Sequence, residues 1–95
     1  MSQTPDRDLP VSFSSFVVSL ASSAMVNLGE VHDPASSGQG TDLAIARQTI
    51  DLLGVLEEKT RGNLDEEEAK LLESVLYDLR LKFVEKRKER DAGQP

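Results

Sequence analysis

The sequence predicts an all-α protein of three helices: a buried N-terminal helix packed on an antiparallel αα-hairpin, completed by oligomerisation. Three observations predict it. All 11 Lys and Arg and all 17 Asp and Glu lie outside residues 9–29, which hold apolar residues at helical spacing and many serines. Residues 41–61 carry apolar side chains on one side and charged ones on the other at a 3.6 period, the mark of an amphipathic helix. Residues 65–68 carry the Asp-x-x-Glu signature of a capping box ahead of a long periodic segment. No alternating strand pattern, internal repeat or Gly-rich phosphate loop competes with this reading.

Residues 9–90 form the single helical domain, flanked by polar tails at 1–8 and 91–95 that cannot bury enough apolar surface to order. Helix one spans 12–28. Ser12 is placed to cap its start and Gly29 to end it. Phe13, Phe16, Val17, Leu20, Ala21, Ala24 and Leu28 share one face, widened by Val18 and Met25. Ser15, Ser19 and Ser22 lie opposite. An uncharged helix in a chain this charged is expected to be covered, by its own subunit or by a neighbour.

Residues 30–40 (EVHDPASSGQG) are a loop, because Pro, Gly and Ser break both regular periods. Helix two spans 41–61, with Thr41 or Asp42 as cap and Gly62 as stop. Its packing side is Ile45, Ala46, Thr49, Ile50, Leu52, Leu53 and Leu56. Helix three spans 65–90. Glu66, Glu67 and Glu68 complement the helix dipole at its start and Lys86, Arg87, Lys88 and Arg90 at its end. Its main face is Ala69, Leu72, Val75, Leu76, Leu79 and Phe83. Tyr77, Leu81 and Val84 make a second stripe on the opposite side, at i, i+4 and i+7. One layer of neighbours cannot cover both stripes. The short link at 62–64 forces helices two and three antiparallel.

Composition narrows the function classes. A 95-residue chain builds a limited core and needs a staple or a partner. With no Cys and one His, disulfides are excluded and a zinc site has too few ligands. Oligomerisation remains, and a homodimer is the favoured form. A net charge of −6 repels nucleic acid and anionic membrane over the molecule as a whole. Asp6 and Asp8 offset Arg7 ahead of the apolar run, which argues against a secretory signal. Serines and Asn27 interrupt a run already short of the ~20 apolar residues that a membrane-spanning helix needs. No cofactor is expected, and no enzyme.

The candidate interface is Phe13, Phe16, Val17 and Leu20 with Tyr77, Leu81 and Val84. The leading function is a protein-binding or self-assembly module acting through helix packing. Lys82, Lys86, Arg87, Lys88 and Arg90 support an alternative, a nucleic-acid-associated factor. These cations point all round the helix and lack an aromatic platform for stacking on bases. A further alternative is an enzyme centred on His32 and Asp33, a pair without a second metal ligand or a nucleophile at fixed spacing. A membrane-surface role for helix one is the last.

Three blocks are familiar together: SFVVSLASSAMVNLGE ending at Glu30, ARQTIDLLGVLEEKTRGNL at 46–64 and EEEAKLLESVLYDLRLKFVE at 66–85. They resemble the DUF1844 family, small bacterial proteins of unknown function, over roughly Phe13 to Glu85. The resemblance implies a bacterial, cytoplasmic protein and brings no activity, cofactor or catalytic residue. Arg47, Gln48 and Asp51 fall inside its most recognisable block although they sit on the polar side of helix two. They are a candidate partner-contact surface, with a local i, i+4 ion pair between Arg47 and Asp51 as the plainer alternative.

Overall fold

The structure, a computed structural model, describes residues 11–31 and 41–93. It consists of α1 (Phe13–Leu28), α2 (Leu43–Lys59) and α3 (Glu66–Ala92), with no strand among the described residues. Each helix packs on both others, so α1 lies against both arms of its own hairpin. Val17, Ala24 and Leu28 from α1, Ala46, Ile50 and Leu53 from α2, and Leu72, Leu76 and Leu79 from α3 form the buried core. The one buried polar residue among those described, Thr49, donates its hydroxyl to the Ile45 carbonyl at 3.1 Å and so carries no unmet hydrogen bond inward.

The caps explain where each helix starts and stops. Ser12 and Ser15 form a reciprocal capping box: the Ser15 N–H donates to the Ser12 Oγ at 3.0 Å and the Ser12 N–H to the Ser15 Oγ at 3.1 Å. Gly29 ends α1 at φ +81°. Asp42, rather than Thr41, caps α2, accepting from the Ile45 N–H at 3.1 Å, so this helix begins at Leu43. It ends at Lys59, with Thr60 as C-cap at φ −101° and ψ +3°, where its N–H and its hydroxyl both donate to the Leu56 carbonyl, at 3.0 Å and 2.7 Å.

Asp65 and Glu68 close the expected capping box, at 2.8 Å and 3.0 Å. Asp65→Ala leaves the Glu68 N–H without its partner, and is expected to cost about 1 kcal/mol. Urea unfolding followed by circular dichroism measures this. No loss would mean that packing alone sets the helix start. α3 continues to Ala92, past the residue 90 at which the sequence pattern ends it. Nothing in the sequence stops it before Gly93.

Both ends of the long connection are anchored. The Asp42 N–H donates to the Asn27 carbonyl at 2.8 Å, which sets the start of α2 beside the end of α1. Glu30 pairs with Lys86 of α3 at 3.2 Å, both side chains largely screened from solvent. The first helix is therefore fixed at its C-terminal end to both of its neighbours.

Gly54 lies inside α2, where a Cβ would come 3.1 Å from an Nη atom of Arg80. Arg80 is exposed, and its guanidinium is the far end of a flexible side chain. Gly54→Ala is therefore expected to stabilise the fold by ~0.5–1 kcal/mol through helix propensity. A lower urea midpoint for this variant would show instead that Arg80 is held in place over the glycine.

Candidate interaction surface

Three packed helices cover only the inward arc of each. On α3 the uncovered arc carries the second stripe: Tyr77 is 72% exposed, and Leu81 and Val84 are about half exposed. The stripe follows heptad spacing with Ser74 before it and Lys88 after it. Glu57 of α2 and Glu73 and Arg80 of α3 border a shallow groove along its α2 side.

A second apolar stripe lies on α2. Ile45, Leu52 and Val55 are about half exposed, and with Gln48 they occupy i, i+7, i+10 and i+3. The helical period places Ile45 and Leu52 on the packing side of this helix. The structure corrects that: Ala46, Thr49, Ile50 and Leu53 form the buried arc, and Ile45 and Leu52 fall beyond its edge. Arg47, Gln48 and Asp51 line the same shallow groove as Ala44, Ile45 and Leu52. The candidate partner-contact residues thus border an apolar stripe that the sequence pattern alone does not separate from the core. Its heptad spacing was the available signal. Arg47 and Asp51 are 3.8 Å apart, both well exposed. A pair so wet contributes little.

The candidate interface residues of α1 separate. Val17 is wholly buried in its own subunit, and Phe13 and Leu20 pack against the same core. These three are correspondingly not open to a partner as Phe16 is, which is 51% exposed. Helix one is uncharged yet not fully covered: Val18 is half exposed, and Ser15, Ser19, Ser22 and Ser23 face outward. Ala69, assigned from sequence to the main face of α3, is also exposed; it lies in the first turn of that helix, beside the 62–64 link that closes the hairpin.

The basic residues do not gather. Lys82 pairs with Asp78 at 3.5 Å, Lys86 with Glu30 at 3.2 Å and Arg90 with Asp91 at 3.2 Å. Arg87 and Lys88 are exposed on different sides of the helix. His32 and Asp33 lie outside the described residues. Among the described residues no group of three or more His, Cys, Asp or Glu side chains is placed to hold a metal ion. No helix among them is long and apolar enough to cross a membrane.

Fold and surface together define a small three-helix domain that turns apolar stripes outward from two of its helices. The chain belongs to the family described as a domain of unknown function, DUF1844, which it matches over residues 10–85. That span takes in α1, α2 and α3 as far as Glu85. No curated protein and no solved structure matches the chain.

Proposed function

We propose that this chain is a binding and self-assembly module that acts through helix packing, in the bacterial cytoplasm that the family resemblance implies. The proposal assigns it no catalytic step. The observation that carries it is the α3 stripe, whose largest member, Tyr77, is 72% exposed. Single exposed apolar residues are ordinary on any protein. A run at heptad spacing along one helix is different, since it offers a continuous seam to another helix. Tyrosine suits such a seam, because its ring buries area while its hydroxyl stays wet.

Leu81→Glu tests the reading, because Leu81 is half exposed and its replacement leaves the core untouched. In sedimentation velocity the wild-type chain is expected above its monomer mass of 10.4 kDa, or to retain a stoichiometric protein through purification. The variant is expected at the monomer mass with an unchanged helical spectrum. A wild-type chain that stays monomeric at every concentration and retains no partner would overturn the proposal.

A further inference from the structure

We infer that the seam on α3 is closed by α3 of a second copy, antiparallel, with the two-fold axis at Tyr77. The inference rests on the self-assembly reading above and names its partner and register. Charge selects the occupant. Glu66, about two turns ahead of Ser74, and Lys88, just past the stripe, lie on the stripe side of α3, and both are exposed. Neither forms an ion pair among the described residues, whereas Lys82 and Lys86, on other sides of the same helix, are each paired within the chain.

Tyr77 is the residue midway between Glu66 and Lys88. An antiparallel pair centred there brings Glu66 of each copy level with Lys88 of the other, so the pair forms twice by symmetry. The same register sets Leu81 level with Glu73 and Ser74 of the second copy, and Val84 level with its Lys70. The long stem of that lysine can lie over the valine while its ammonium reaches water. The two Tyr77 rings meet at the axis, where offset stacking is available. A parallel pair would set Glu66 on Glu66 and Lys88 on Lys88, placing like charges together at both ends. The α2 stripe lacks such a pattern: about its centre near Ile50, Lys59 falls level with Thr41 and meets no carboxylate.

The chain has no cysteine, so one introduced thiol reports the register alone. Tyr77→Cys in the full-length chain, mildly oxidised, is expected to give a disulfide-linked dimer. Val84→Cys is expected not to, since the two copies of that residue would stand roughly 21 Å apart along the axis, beyond disulfide reach. With Tyr77 intact, Lys88→Glu is expected to weaken the dimer roughly tenfold. Adding Glu66→Lys to it restores the attraction and is expected to recover most of that loss. If the chain self-associates but Val84→Cys links as readily as Tyr77→Cys, the pair is parallel and this inference fails while the self-assembly reading stands. The inference fails in the same way if only Leu52→Cys links, which would place the contact on α2. A chain monomeric at every concentration removes the self-assembly reading and this inference with it.

Discussion

Leu53→Ala is expected to lower the unfolding free energy by about 3 kcal/mol, within the range found for deleting a buried leucine. Leu53 is 0% exposed at the centre of α2, surrounded by core residues drawn from all three helices. The loss has two parts: transfer of the removed methyl and methylene groups, and the cavity left where neighbouring helices cannot close in. Marginal stability makes the effect large here. A domain of this size has ~0.05–0.15 kcal/mol per residue to spare, so one such cavity removes a large share of it. Leu52→Ala, one position along, supplies the contrast. Its side chain is 53% exposed, and truncation is expected to cost under ~1 kcal/mol. Urea unfolding of both variants, with equal slopes, checks the difference. Similar losses at the two positions would mean that α2 is rotated from the orientation described.

That contrast also marks how far the sequence can be read. The existence, order and type of all three helices are legible, since each is announced by local chemistry. Ser12, Gly29 and the Asp65–Glu68 box are decided by residues within one turn of one another, so no tertiary information is needed to place them. The bounds of α2 read from the pattern are two residues too wide at each end, because Thr41 and Asp42 both suit the cap by residue type and the chain leaves the helix at Thr60, two residues before Gly62.

What lies on the outside of each helix is harder to read. On α3 the stripe of Tyr77, Leu81 and Val84 stands out because it opposes the main face, and no single neighbour can cover both. On α2 the exposed Ile45 and Leu52 adjoin the buried arc. A helical projection cannot say where the cover of the neighbouring helices ends, so it assigns both inward. The uncharged first helix misleads in another way. Absence of charge suggests burial, but serine hydroxyls face water at little cost, and half of Phe16 and Val18 is open as well. Val17 and Phe16 fall within one wide apolar arc, so the pattern does not tell them apart and only packing does.

Gly29→Ala is expected to cost about 2 kcal/mol, from two sources that can be measured apart. The first is conformational. Gly29 ends α1 in the left-handed region, at φ +81°, and lets its own N–H reach the Val26 carbonyl and the Glu30 N–H reach the Met25 carbonyl, both at 3.0 Å. These are the two bonds of a Schellman motif, and an L-residue in that conformation costs ~1 kcal/mol or more. The second source is tertiary. A Cβ on residue 29 would stand 2.5 Å from the Thr41 Oγ1, which must then move, while the Thr41 Cβ, at 3.8 Å, is in ordinary contact. Removing that hydroxyl should therefore relieve the clash and leave the backbone term. Thr41→Ala alone is expected to lie within ~0.5 kcal/mol of the parent, as surface changes usually do. Gly29→Ala with Thr41→Ala is expected to recover about half of the loss, a coupling that a double-mutant cycle isolates. Full recovery would mean that the left-handed turn relaxes freely and only the contact counts. No recovery would mean that Thr41 does not lie against the end of α1, and that the junction between the first helix and its hairpin differs from the one described.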